Sequence, residues 1–296
     1  MAKITMELIK ELREKTQVGM MDCKKALIQA DGNLEKAIEI LRKKGAAVAA
    51  KRADSATNNG HVESCLSNNL KVGALVKIGC ETDFSAKTDD MKKFSESICQ
   101  TILQKNPDCV SDDVCCLLKQ KLYDNKITIN DSLNELIAKI GEKTKIEKFV
   151  RYEVENNGLV NAYIHPGANL GVIVELTTDK SIQEHFEQLK QLSHDICMQI
   201  AVTNPLSVDP DGLDPEILEK ELEVIKAQLA ASNKPESMID KIAAGKMNKY
   251  YEEVCLLNQK FIKDDKITIK DQIKKTEVKT DLKINIKQYK RFAIGK

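Results

Sequence analysis

Val72–Ile102 reads VGALVKIGCETDFSAKTDDMKKFSESICQTI. Its first residues place Val72, Ala74, Val76 and Ile78 at alternate positions, the period of a strand with one buried face. Its last residues place Met91, Phe94, Ile98 and Ile102 three or four apart, the period of an amphipathic helix. Between them lies Thr82-Asp83-Phe84, where the strand ends and the helix begins, and Thr82 or Asp83 is a natural N-cap. Phe84 is at the corner, in a chain that is only 4% aromatic. A ring at such a corner either closes the core under the turn or projects as a wedge into a partner.

The same stretch returns further along the chain, and that repeat sets the fold. Asn59-Gly60 recurs as Asn157-Gly158, Gly73 as Gly171, Ile98-Cys99 as Ile196-Cys197, Asn106-Pro107 as Asn204-Pro205 and Val110 as Val208, each 98 residues on. Val62, Val76, Phe94 and Ile102 have apolar partners at the same offset: Val160, Val174, Leu192 and Ile200. Each copy reads as a hairpin of two alternating strands, a long helix, and Asn-Pro as its stop. A second offset, 140, relates Lys126-Ile-Thr-Ile129 to Lys266-Ile-Thr-Ile269, Asp131 to Asp271, and Phe149-Val-Arg-Tyr152 to Tyr289-Lys-Arg-Phe292. The difference, 140 − 98 = 42, is the length of an insertion in the second copy. Each copy closes on a strand, near 146–155 and 282–294, with Arg151 and Arg291 expected to pair with carboxylates of their own copies.

The insertion opens with Asp214-Pro215, a helix start with proline at the first helical position. Leu218, Leu222, Ile225 and Leu229 keep coiled-coil spacing, Ser232–Pro235 interrupts, and Met238, Ile239, Ile242 and Met247 mark a second helix. An antiparallel hairpin projecting from the core is expected. At the other end, Ile4, Leu8, Ile9 and Leu12 share one helical face. Val18-Gly19-Met20-Met21 makes a turn, and a helix follows from Asp22. Asn33 caps a third helix that ends by Gly45. The turn presents two methionines, suited to an adaptable contact surface or to core filling. The reading is therefore α+β. A three-helix bundle of the ubiquitin-associated (UBA-like) type precedes a duplicated core of small antiparallel sheets with packed helices, interrupted by an antiparallel helical hairpin. The boundaries are 1–45 for the bundle, 46–57 for a linker that starts helical, 58–156 for the first core repeat, 157–208 and 252–296 for the second, and 209–251 for the hairpin.

Composition excludes several functions. Lysine and arginine number 46 against 45 acidic residues, so the whole chain does not read as a general nucleic-acid binder. Residues 1–52 carry +5 and 241–296 carry +8, leaving an acidic middle at −12, a segregation that suits a charged partner surface. Nine cysteines without C-x-x-C spacing read as reduced, packed thiols. No segment reads as a signal peptide, a transit peptide or a membrane span, so a cytoplasmic location is expected. There is no P-loop, no G-x-G-x-x-G opening a helix, and no hydrolase or zinc-protease motif. His194-Asp195 are neighbours on one predicted helix and point apart. His165 falls in a turn between strands. The chain reads as a binder, neither an enzyme nor a holder of cofactor or metal.

Two motifs carry a resemblance. Arg13–Leu27, REKTQVGMMDCKKAL, resembles the N-terminal signature of the elongation factor Ts family, and Cys80–Lys87, CETDFSAK, resembles its second, with Ser85 in place of the usual valine. The likeness extends over almost the whole chain. It implies a guanine-nucleotide exchange factor that binds elongation factor Tu, releases GDP by disturbing its Mg²⁺ and phosphate site, and lets GTP rebind. Carried over by position, Met20 and Met21, supported by Arg13, would dock on a helix of the GTPase domain. Thr82 and Asp83 would present Phe84 to a cleft beside the helix that helps position the Mg²⁺ site. His165, at the equivalent tip of the second copy, would touch the same partner near its phosphate-binding side, with Lys24 and Lys51 as weaker contacts. Gln199 stands where some members carry a histidine, and the C-terminal helix of some members has no counterpart after Phe292. In some relatives the hairpin pairs with its own copy, so a homodimer is one arrangement left open. The alternative is a UBA-type adaptor without exchange activity, which leaves the duplicated core without a purpose.

Overall fold

The computed structural model describes residues 4–16, 18–52, 54–107, 115–123, 127–231 and 236–295. The chain divides into two units: residues 1–153, 164–173 and 292–296 make the first, and residues 154–163 and 174–291 the second. The repeat partner Val110, Lys126 of the second register and the break at Ser232–Pro235 lie outside the described residues, as do the side chains of Met238 and Ile239.

The first unit opens with three helices, α1 (Met6–Thr16), α2 (Met20–Gln29) and α3 (Leu34–Lys51). Ile9, Leu12, Val18, Cys23, Ala26, Leu27, Ala37 and Leu41 form their common core. Asn33 caps α3 as its sequence implies: its Oδ1 accepts the Lys36 N–H at 3.0 Å. Two sequence expectations fail here. The methionines belong to the first turn of α2, which begins at Met20 with Gly19 as N-cap, not to a turn ahead of it. Gly45 does not end α3, which runs six residues beyond it. Its role is close approach. A Cβ at Gly45 would lie 2.1 Å from the Asn134 carbonyl oxygen, so its missing side chain lets α3 lie against α7 (Ile129–Ile140).

The first sheet has strand order β1-β2-β3, from Asn59–Leu66, Val72–Cys80 and Thr144–Glu153, all antiparallel. Alongside these run the single turn α4 (Asp83–Ala86), α5 (Asp89–Lys105) and the short α6 (Cys115–Lys119). Ala74, Val76, Ile78 and Cys80 pack on Met91, Phe94, Ile98, Cys99 and Ile102 of α5. The alternation in β2 is incomplete because its other face is covered too. Leu75 is buried there, close to Gly171 in the 164–173 segment of the same unit. The Val62 N–H donates to the Ala168 carbonyl of that segment at 2.7 Å.

The remaining strands are β4 (Gly158–Ile164), β5 (Leu170–Thr178), the two-residue β6 (Lys260–Phe261), β7 (Asp264–Thr268) and β8 (Ile284–Ala293). The second sheet has order β4-β5-β8. The remaining helices are α8 (Phe186–Thr203), α9 (Pro215–Ala231), α10 (Glu236–Val254) and α11 (Ile269–Thr280). The offsets read from sequence reappear as element boundaries. β2 shifted by 98 is β5, β3 shifted by 140 is β8, and α7 shifted by 140 is α11. Details repeat as well. Asn106 and Asn204 end α5 and α8 in the left-handed conformation that asparagine tolerates. Thr128 and Thr268 cap α7 and α11 by accepting the Asp131 and Asp271 N–H. Arg151 and Arg291 donate to the Leu103 and Ala201 carbonyls, orphan acceptors near the ends of α5 and α8. Arg151 also pairs with Glu153 at 2.6 Å. Arg291 has no carboxylate partner among the described residues, which corrects half of that expectation; burial holds its guanidinium below the usual range.

In the second unit α9 and α10 run in opposite directions and share a core of Ile225, Leu229, Ala243 and Met247. Lys226 pairs with Asp240 at 3.3 Å, and the Lys246 Nζ donates to the Gln228 Oε1 at 3.2 Å. Gln199 is fully buried, donating to the Lys260 carbonyl and accepting the Ile262 N–H, so it joins α8 to β6. His194 stacks edge-on with Tyr163 while Asp195 is held by Lys263 and Gln191, so the two do not act as a dyad.

Candidate partner-binding site

The corner after β2 is built from hydrogen bonds. Thr82 is the N-cap of α4: its Oγ1 accepts the Ser85 N–H at 3.3 Å. The Thr82 hydroxyl donates to the Glu142 carboxylate, 3.0 Å from both oxygens, and the Thr82 N–H reaches Glu142 Oε2 at 3.2 Å. One residue earlier the exchange runs the other way. Glu81 accepts the Lys143 N–H at 2.7 Å and both oxygens accept from Arg52, at 3.0 and 2.8 Å. The Lys143 N–H and the Arg52 guanidinium together hold the Glu81 carboxyl below the usual range. The Cys80 thiol, under the corner, is pushed up to about 11 by burial and then by the Glu142 charge.

This frame decides where each side chain of α4 goes. Ser85 and Ala86 are buried beneath the turn. Phe84, on the same turn, is left facing out at 81% exposure. The ring is not part of the core. Asp83 is exposed beside it, and a 2.8 Å ion pair to Lys87 lowers its carboxyl pKa. An exposed phenylalanine forgoes about 2–3 kcal/mol of burial, so the corner holds it out at a cost.

The duplication supplies an internal comparison. The second copy's equivalent of Phe84 is Ile182, which is buried. Where the first copy has Thr82 and Glu142, the second has Lys180 and the buried Leu282. The fold closes this corner over an apolar side chain in one copy and turns an aromatic outward in the other.

The other expected residues lie on other elements, all in the first unit. Met20 and Met21 are 41% and 65% exposed on the first turn of α2, with Lys24 exposed one turn on. Arg13 is exposed in the last turn of α1, and Lys51 is exposed at the end of α3. Lys51's neighbour Arg52, not Lys51, enters the corner network. His165 is exposed in the β4–β5 turn, where its N–H donates to the Leu170 carbonyl and its carbonyl accepts from Ala168. Its counterpart in the first copy is Ser67, in a turn with the same bonds, and Ala168 and Leu70 share a positive φ near 54° and 53°. His165 is thus not the positional equivalent of Phe84, since the offset of 98 leads to the β4–β5 turn from Ser67. Glu81, Glu142 and Lys143 went unread in the sequence, and Arg52 was expected to be solvated or to touch an acidic partner, not Glu81. Glu81 lies inside the second motif and could have been flagged, but Glu142 is 60 residues from Thr82 and carries no local pattern.

Among the described residues no group of three His, Cys, Asp or Glu could hold a metal, and no helix is long and apolar enough to cross a membrane. An exposed aromatic on a braced corner and an exposed methionine pair are the equipment of a protein that works by docking on another macromolecule.

Comparison with known proteins gives the class a name. The family described as Elongation factor TS matches residues 81–296. The chain is similar to Elongation factor Ts of Clostridium perfringens (strain SM101 / Type A), 41% identical over 292 residues, covering 99% of this chain and 93% of that protein. It is 39% identical to Elongation factor Ts of Chloroherpeton thalassium over 295 residues, covering 100% and 99%, and 39% identical to that of Nautilia profundicola over 296, covering 100% and 94%. The chain belongs to the elongation factor Ts family of translation elongation factors.

Proposed function

We propose that this chain binds elongation factor Tu in the cytoplasm and promotes GDP release from it as a guanine-nucleotide exchange factor, without a chemical step of its own. The observation that carries the reading is the exposure of Phe84 on a corner whose Thr82 is tied through its N–H and hydroxyl to Glu142. Phe84 enters the GTPase beside the helix that helps organise Mg²⁺. Displacing that element removes charge neutralisation from the phosphates, and GDP leaves. Thr82 and Asp83 set the corner. Met20 and Met21, with Arg13 and Lys24, dock the 1–45 bundle on a helix of the GTPase domain, while His165 and Lys51 add contacts at the edges. Burying one phenylalanine contributes ~2–3 kcal/mol, roughly a 30- to 150-fold shift. One ring is too little for a large exchange effect, so the methionine face must hold the wedge against an unfavourable deformation.

Linkage gives the reading a second face. A factor that speeds release binds the empty GTPase more tightly than the GDP-bound one, and GDP weakens the factor's binding by the same ratio. The hairpin, 209–251, carries Ile217 and Val224 exposed seven residues apart on α9, and we assign this stripe to self-association; sedimentation that returns only monomer would remove it. The main test is release of a fluorescent GDP analogue from elongation factor Tu, chased with excess GDP. The full chain should accelerate it. No acceleration, with an active control factor present, would overturn the reading and return attention to an adaptor role for the bundle.

A further inference from the structure

We infer that Glu142 is a positioning residue for exchange, holding the Thr82–Phe84 corner so that the ring meets its partner already oriented. This rests on the reading of Phe84 as the exchange wedge. The carboxylate takes both polar groups that Thr82 offers, N–H and hydroxyl, at 3.0 to 3.2 Å. Thr82 is also the cap of α4, so its Oγ1 receives one hydrogen bond and gives another. Fixing Thr82 therefore fixes the start of a helix only four residues long, too short to hold its own shape. Glu142 is itself held at a defined place. It follows Gly141, whose left-handed φ of 78° ends α7 and turns the chain toward β3. Its neighbour Lys143 returns a backbone hydrogen bond to Glu81, so the two turns grip each other through adjacent residues.

The second copy argues that this tie serves the exposed ring rather than the fold. Asp281 there occupies the place of Gly141 with a φ of 51°, so the turn is the same. The next residue is Leu282, buried, and the corner side chain Ile182 is buried as well. Lys180, in the place of Thr82, pairs instead with exposed Asp281 at 2.7 Å. The second copy keeps the Glu81-type tie, with Asp179 accepting the Lys283 N–H at 2.8 Å, but has an apolar residue in the place of Glu142 where the corner side chain is buried. The Glu142 carboxylate is present in the copy whose corner presents a phenylalanine to solvent, where burial of the ring cannot hold the turn in place.

The test uses the full chain as wild type, Glu142→Ala, Glu142→Gln, Phe84→Ala, and Phe84→Ala combined with Glu142→Ala. Two quantities are read. One is hydrogen exchange of the amides at 82–86 in the free protein. The other is the maximal rate of GDP-analogue release at saturating factor. Glu142→Ala should speed exchange at these amides and slow release about tenfold, as expected for losing a charge-assisted pair. Glu142→Gln keeps an acceptor for Thr82 and should recover most of both. The double variant should release GDP no more slowly than Phe84→Ala alone, because Glu142 acts only through the ring. Unchanged amide exchange in Glu142→Ala overturns the positioning claim whatever the release rates. Losses that add in the double variant overturn it too, by giving Glu142 a role outside the corner. If Phe84→Ala releases GDP as fast as wild type while Glu142→Ala loosens the amides, the wedge reading itself has failed, and Glu142's part in exchange falls with it. Should Glu142→Ala unfold, Glu142→Leu takes its place with the same expected losses, since the second copy holds Leu282 at this position, and unchanged amide exchange in it overturns the claim.

Discussion

Phe84 owes its exposure to its neighbours. Ser85 and Ala86 take the space under the turn, and the Thr82 hydroxyl is tied on two sides, to Glu142 and to the Ser85 N–H. A serine in the family's valine position fits this packing, its Oγ lying 3.3 Å from the Thr82 hydroxyl beneath the corner. Glu81 gives the corner a pH dependence. Its folded value lies below the ordinary 4.5, because the charged form gains the Lys143 N–H and Arg52. A carboxyl depressed on folding stabilises fully above its ordinary value, and that contribution is lost as pH falls through the lower folded one. Glu81→Gln should therefore lower the urea midpoint at pH 7, and the gap from wild type should narrow as pH falls below 4.5 and through the lower folded value. A gap of equal size across that range would mean that Glu81 acts through shape alone. The exposure of Phe84 was not legible from Thr82-Asp83-Phe84, because the tripeptide suits a buried ring equally well. The carboxylate that ties Thr82 lies 60 positions away, and only the fold brings it close.

Among elements, the duplication was the most legible feature. Repeated residues at two fixed offsets reappear as repeated strand and helix boundaries, and even as paired capping bonds, because caps and turns depend on short local patterns. Contacts between elements were less legible. Gly45 looks like a helix stop, yet it is the point where α3 meets the Asn134 carbonyl. Gly45→Ala should destabilise by about 1–3 kcal/mol as the helices are forced apart. Gly245→Ala is the control: nothing lies within 4 Å of its Cβ position on α10, so relief of glycine's helix penalty should stabilise by about 0.5–1 kcal/mol. Urea unfolding of both variants gives the comparison, and two changes of the same sign would contradict this assignment. His165 teaches a related point. Sequence placed it at a tip, but the repeat shows which tip: the hairpin turn shared with Ser67, not the corner shared with Phe84.

At the scale of the molecule, every residue expected to touch the GTPase falls in the first unit, on α1, α2, α3, the β2–α4 corner and the β4–β5 turn. In the proposed function the α2 methionines supply affinity and Phe84 converts affinity into exchange. Met20→Ala with Met21→Ala should raise the concentration of factor needed for half-maximal acceleration about 10- to 100-fold, while the rate at saturation stays within about threefold of wild type. A saturating rate that falls as far as the affinity would merge the two roles. The family could be read from two short motifs, which also hold most of the residues expected to make contact. The bracing around them was hidden, since bracing is distributed through the chain. The most direct measurement is therefore Phe84→Ala in both assays at once, maximal GDP-analogue release and affinity for nucleotide-free elongation factor Tu. Release should fall about 30-fold or more while affinity falls several-fold less. Equal losses in the two would make Phe84 an anchor and contradict the wedge.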